Sequence, residues 1–158
     1  MSRIAWDLPG YQFLVRMVAE GGAAAAQQVF DEVAGEVFQL MVHTVGHALV
    51  EALEFWTDEQ ITRVLGILGA ASPSKIVAAA TNHAGSNILQ TLVGKITGQQ
   101  GHVESFTRTL AGVRVSGVLS MIEDMDGSHL ILKCLDTFSA KQNLVHVVSF
   151  DPPFPSVI

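Results

Sequence analysis

Apolar residues recur three, four and seven positions after a glycine, and this pattern appears four times along the chain. The segments read DLPGYQFLVRMV from Asp7, HTVGHALVEALE from His43, NHAGSNILQTLV from Asn82 and DMDGSHLILKCL from Asp124. After Gly10 come Phe13, Leu14 and Met17, and after Gly46 come Leu49, Val50 and Leu53. Ile88, Leu89 and Leu92 follow Gly85, and Leu130, Ile131 and Cys134 follow Gly127. That spacing sets the three apolar side chains of each segment on one face of a helix. A polar residue able to cap a helix (Asp7, His43, Asn82, Asp124) stands three before each glycine. The glycines lie 36, 39 and 42 residues apart, which is the period of a helical solenoid repeat.

A further helix is predicted between successive stripes. Over residues 25–42, Val29, Val33, Val37, Leu40 and Met41 keep the helical period and predict one amphipathic helix. Thr57-Asp58-Glu59-Gln60 has the form of a capping box and introduces the face Ile61, Val64, Leu65 and Leu68. The stretch 71–74 breaks that helix, and Ser74 is placed to cap a short one over 75–81. In the fourth unit, segments 102–110 and 116–122 flank a weakly patterned patch at 111–115, which predicts an irregular or split first helix. A last amphipathic segment runs from Ser139 to Val148 and stops at Asp151-Pro152-Pro153-Phe154-Pro155. No segment alternates apolar and polar residues as a half-buried strand does. The fold class is therefore all-α: an α-solenoid of two-helix units in one domain, 1–158. The units fall near 1–22, 23–56, 57–97 and 98–138, followed by a partial unit and proline-rich tail over 139–158.

Composition agrees with a packed stack. Of 158 residues, 49% are hydrophobic and 15% charged, enough for a substantial core. The net charge of -6 leaves no whole-surface cationic field, so any polyanion would have to be met by a local face. Cys134, the one cysteine, has no internal partner and points to a reducing compartment. The start MSRIAWDLPG does not read as a signal peptide, and the apolar window 64–80 is interrupted by Pro73 and Lys75, so no membrane span is expected.

The motif of a polar residue, two positions, glycine, two side chains free to project, a double apolar step and one more projecting residue resembles the Pumilio (PUF) repeat of RNA-binding proteins. Asp124-Met125-Asp126-Gly127-Ser128-His129-Leu130-Ile131-Leu132-Lys133-Cys134-Leu135 carries the resemblance best, followed by Asn82-His83-Ala84-Gly85-Ser86-Asn87-Ile88-Leu89-Gln90. It covers nearly all of residues 4–148. The resemblance implies a right-handed superhelical stack whose concave face binds single-stranded RNA, one base per unit, by two or three side chains. Residues one and five after the glycine share a helix face, with the residue two after it beside them. In the family the outer two meet the base edge and the middle one stacks between bases. The implied trios are Tyr11, Gln12 and Val15; His47, Ala48 and Glu51; Ser86, Asn87 and Gln90; and Ser128, His129 and Leu132.

The third trio is the fullest reader. Gln90 offers a donor and an acceptor, Ser86 is small enough to admit a base, and Asn87 can lie flat on a base face. Ser and Gln together resemble repeats that prefer adenine. Glu51 could accept from guanine, whereas Val15 and Leu132 cannot bond a base edge. By resemblance the chain is a cytoplasmic, non-enzymatic regulator of messenger RNA translation that binds 3′-UTRs, with no cofactor, metal, membrane or small-molecule substrate, and with regulatory proteins on its convex face. Typical members carry about eight repeats and a basic inner face. Four units, two apolar edge positions and an acidic balance keep a second reading beside the first: a protein-binding helical scaffold whose RNA face has degenerated.

Other constellations reduce to structure. His43 and His47 lack the glutamate of HExxH and a third ligand, so His43 is read as a helix-entry residue. Cys134 falls on the buried stripe. Asp124 is read as a cap, and Glu123 and Asp126 as solvated turn residues. No phosphate-cradling glycine motif is present, and nothing assembles a catalytic constellation.

Overall fold

The computed structural model describes residues 6–53 and 57–143. Every regular element among them is helical: α1 (Leu8–Val33), a 3₁₀ turn (Ala34–Glu36), α2 (Val37–Val42), α3 (Gly46–Leu53), α4 (Asp58–Ala70), α5 (Pro73–Ala80), α6 (His83–Ile96), α7 (Gln100–Ala111), α8 (Val115–Glu123) and α9 (Met125–Thr137). The repeating unit holds three helices rather than two. α4, α5 and α6 make one unit and α7, α8 and α9 the next, and equivalent helices of the two units pack side by side. α1 is bent at Gly22, whose φ of +64° is a conformation that glycine adopts without a Cβ penalty. Its first half carries the Gly10 stripe; its second half joins α2 and α3 as the second unit, which is of the same kind.

Two further sequence expectations are corrected. The single helix over 25–42 is divided at the 3₁₀ turn around Gly35. Apolar positions continue through the break, since Val33, Ala34 and Val37 are all buried, so periodicity alone did not reveal it. Pro73 starts α5 as its N1 residue instead of merely ending α4, and Ser72, not Ser74, is the N-cap. Proline suits N1 because the N–H it lacks would have no helical partner there. The split first helix of the fourth unit is borne out by α7 and α8, and the Thr57 capping box by both of its hydrogen bonds. Ser139 and Gln142 form a second such box, with Gln142 N–H donating to Ser139 Oγ at 3.3 Å and Ser139 N–H to Gln142 Oε1 at 2.8 Å. The expected amphipathic segment beyond Asn143 lies outside the described residues.

The repeated polar residue does the same work in every unit. The glycine N–H donates to Asp7 Oδ1 at 2.7 Å, His43 Nδ1 at 3.0 Å, Asn82 Oδ1 at 3.0 Å and Asp124 Oδ1 at 2.8 Å. Each bond satisfies an N–H at a helix start that has no partner within the helix. The His43 ring is also held edge-on by Trp6, 4.9 Å between centroids. The glycines themselves permit close approach. A Cβ on Gly85 would run into the Ala79 carbonyl of α5, and one on Gly127 into the Met121 carbonyl of α8.

One continuous core runs from Leu14 to Phe138. Phe30, Leu40, Leu68, Leu92, Phe106 and Leu130 are among its fully buried side chains, each worth about 1.5–3 kcal/mol of apolar transfer. Polar contacts add register between neighbouring first helices: Gln60 Nε2 donates to Gln27 Oε1 at 2.7 Å, and Arg63 pairs with Asp31 at 2.9 Å while lying 5.5 Å from the Phe30 ring centroid. The apolar stretch 64–80 is shared between α4 and α5, which meet at 118°; among the described residues no single helix is long and apolar enough to cross a membrane.

Candidate nucleic-acid interface

The third helices form a row in which α1 packs on α3, α3 on α6 and α6 on α9. Because each is capped at the same offset from its glycine, the trio positions recur in one register along this row. Helix α6 presents the densest polar edge. Asn87 is exposed and Gln90 half-buried, but Ser86 is fully buried. Its hydroxyl donates to the backbone carbonyl of Asp126 on α9 at 2.7 Å and accepts from Gln90 Nε2 at 3.0 Å. Ser86 is thus not a gap that admits a base. It is a polar tie between two units, and the part of the trio that faces outward is Asn87 with Gln90.

The remaining trios are weaker edges. In α9, Ser128 is half-buried and its hydroxyl returns to the Met125 carbonyl at 2.9 Å, while His129 is exposed and Leu132 is 54% exposed. In α3, His47 is half-buried with Nδ1 2.9 Å from the His43 carbonyl, Ala48 is half-buried and Glu51 is exposed. In α1, Gln12 is exposed and Tyr11 and Val15 are half-buried against the core. Hence Gln12, Glu51, Asn87 and His129 are exposed polar members of the trios, one per unit, and a hydrogen-bonding amide at the edge occurs in α6.

Two residues that sequence reasoning passed over join this site. His83 Nδ1 lies 2.9 Å from Asp126 Oδ1, and its Nε2 lies 3.5 Å from Asn87 Nδ2. Asp126 was expected to be a solvated turn residue, yet its side chain is only 17% exposed, covered where α9 meets α6. The signal was faint. His83 and Asp126 sit at different offsets from their glycines, so a comparison of equivalent positions never pairs them. Cys134 is buried, and desolvation pushes its thiol up from 9.0 to about 12, which makes it a core residue rather than a nucleophile. His43 Nδ1 is engaged with backbone N–H groups, as a helix-entry residue should be.

No family model matches the chain. Putative pumilio homolog 7, chloroplastic, of Arabidopsis thaliana is 30% identical over 141 residues, which is 89% of this chain and 21% of that protein. Pumilio homolog 11 of the same plant is 29% identical over 141 residues, 89% of this chain and 24% of the relative. The chain thus spans about a fifth to a quarter of the length of these curated relatives. Among solved structures, the Puf4 RNA binding domain bound to the HO endonuclease RNA 3′ UTR recognition sequence aligns with a TM-score of 0.74 at 23% identity, covering 92% of this chain and 43% of that one. The RNA-binding domain of yeast Puf5p bound to SMX2 RNA aligns with a TM-score of 0.77 at 19% identity, over 93% and 40%. The fold is that of a Puf-type helical-repeat domain. In sequence the chain is a relative of the Pumilio homologues, and the resemblance carried by the four glycine-centred motifs is borne out.

Proposed function

We propose that this chain binds single-stranded RNA across the row of third helices, and that the third unit supplies its most selective contact. The observation that carries the reading is the orientation of Gln90. The single hydroxyl proton of Ser86 goes to the Asp126 carbonyl, so Ser86 Oγ can only accept from Gln90. The amide NH₂ is therefore turned toward Ser86, and the carbonyl oxygen and second N–H are left for a ligand. An acceptor beside a donor complements the Watson–Crick edge of adenine. Asn87, exposed on the next position of the helix, covers the face of that base, and His129 and Tyr11 offer stacking surfaces to its neighbours at about 1–3 kcal/mol per base. The role is binding without catalysis, in regulation of messenger RNA in the cytoplasm, with unit boundaries at the Gly22 bend and near residues 56 and 97. The likeness to Puf domains solved with RNA supports it.

One observation favours the second reading, a protein-binding scaffold. Leu119, Ile122, Leu132 and Leu135 are each more than half exposed on α8 and α9. Selection of the chain against randomised short RNA separates the two. Enrichment of a base at one or two positions, with Gln90→Ala relaxing one of them, is the expected outcome. Retention that merely fades with salt and has no base preference would overturn sequence reading.

A further inference from the structure

We infer that Asp126, a residue of the fourth unit, is a positioning residue for the base contact of the third. The inference rests on the RNA reading above and deepens it. Asp126 reaches back across the unit boundary by two independent routes. Its backbone carbonyl accepts from Ser86 Oγ at 2.7 Å, and Ser86 in turn accepts from Gln90 Nε2 at 3.0 Å. Its carboxylate Oδ1 holds His83 Nδ1 at 2.9 Å, and the far nitrogen of that ring stands 3.5 Å from Asn87 Nδ2. Both routes end on a side chain that faces outward from α6.

The polarity of each route is fixed by chemistry. A serine hydroxyl has one proton, so donation to a carbonyl obliges it to accept from the amide, and this sets which end of Gln90 faces outward. A carboxylate only accepts, so in the neutral ring it selects the tautomer protonated on Nδ1, and Nε2 is left as the acceptor that meets the Asn87 amide. His83 is 79% exposed and would otherwise sample several rotamers; the Asp126 side chain, 17% exposed, gives it a fixed anchor. The equivalent serine of the fourth unit, Ser128, bonds within its own turn, and the edge position there is Leu132. The tie thus occurs at the boundary where the edge position is an amide with an orientation to set.

Four variants of the full chain test this, with selection against short RNAs differing at the third-unit base as one readout and the His83 ring tautomer by ¹⁵N NMR as another. Ser86→Ala frees the amide to turn over, and its preference for adenine falls by about tenfold while the chain stays folded. Asp126→Ala weakens binding by about threefold without changing the preferred base, and Asp126→Asn, which keeps an acceptor oxygen, restores it. In the free protein His83 is in the Nδ1–H form in wild type and Asp126→Asn, and the other tautomer appears in Asp126→Ala. Wild-type preference in Ser86→Ala and wild-type affinity in Asp126→Ala, in a chain where Gln90→Ala does lose its preference, would overturn the positioning role and leave the RNA reading standing. Absence of any base preference in the wild type overturns both.

Discussion

The boundary between α6 and α9 and the one between α1 and α3 are built from the same stripe and end differently. At the first, Ile88 and Leu130 are buried and the polar chain from Asp126 through Ser86 to Gln90 crosses from unit to unit. At the second, Phe13 occupies the position of Ile88 and Leu130 yet is 55% exposed, because the first half of α1 has no first and second helix of its own unit against it among the described residues. Ser86 and Ser128 make the point again within one motif. Each follows its glycine directly, but Ser86 bonds a neighbouring helix N-terminus and Ser128 its own turn, so the same residue is a tie in one unit and a local turn in the next. The stripe specifies a stack, while the chemistry at each edge is set by the neighbour that covers it.

The largest way to break this comparison is at the glycines. Gly85→Ala and Gly127→Ala drive a methyl into a backbone carbonyl of the preceding helix, and each should lower stability by about 2–3 kcal/mol in urea unfolding. Gly46→Ala meets first the Leu40 Cδ2 methyl, the far end of a flexible side chain, and should cost about half as much. Equal losses at Gly46 and Gly85 would mean that the second and third helices approach one another identically in the two units, although Gly46 faces a side-chain methyl and Gly85 a backbone carbonyl. Within α6, Gly94→Ala serves as the control of opposite sign. Its Cβ meets open space in an exposed helix interior, and the change should stabilise by about 0.5–1 kcal/mol. The next effect is at the caps: Asp124→Ala removes the acceptor for the Gly127 N–H and should cost about 1 kcal/mol by the same measurement.

These positions show what a sequence can and cannot disclose. The helical stripes, the four caps before the glycines and the Thr57 box were legible because each rests on residues close together in sequence, whereas the cap of α5 fell on Ser72 and not on Ser74. The 3₁₀ turn at Ala34–Glu36 was hidden because its apolar residues keep the helical period through the break. The exposed residues Gln12, Glu51, Asn87 and His129 lie among the positions that the repeat resemblance and helical register had named. Burial of Ser86 and pairing of His83 with Asp126 were not legible, since both depend on where α9 lies across a separation of about forty residues.

The comparison sharpens at the edge positions themselves. Gln90 and Leu132 occupy equivalent places, so Leu132→Gln asks whether an amide alone makes a reading unit. With Ser128 bonded within its own turn instead of across a unit boundary, the new amide has no fixed orientation. The expected gain is about threefold in RNA affinity with little added base preference. A gain in preference equal to that of the third unit would show that the tie through Asp126 adds nothing.

A pH-dependent effect separates the two sides of α9, where Cys134 is buried and Leu135 is bare. The folded thiol has its pKa raised by burial from 9.0 to about 12, so the folded state resists ionisation that the unfolded chain permits. Below pH 9 both states hold a neutral thiol, and the contribution of Cys134 to stability is complete. As pH rises from 9 toward about 12, the unfolded chain loses its proton first, and that contribution is lost. Tyrosine and lysine titrate in the same range, so the quantity to measure is the stability of the wild type minus that of Cys134→Ala, in which their effects cancel. At neutral pH the difference should be about 1 kcal/mol, from the cavity that the variant leaves. It should hold to pH 9 and then shrink steadily. A difference that stayed level to pH 12 would place the thiol in contact with solvent, and with it the buried face of α9.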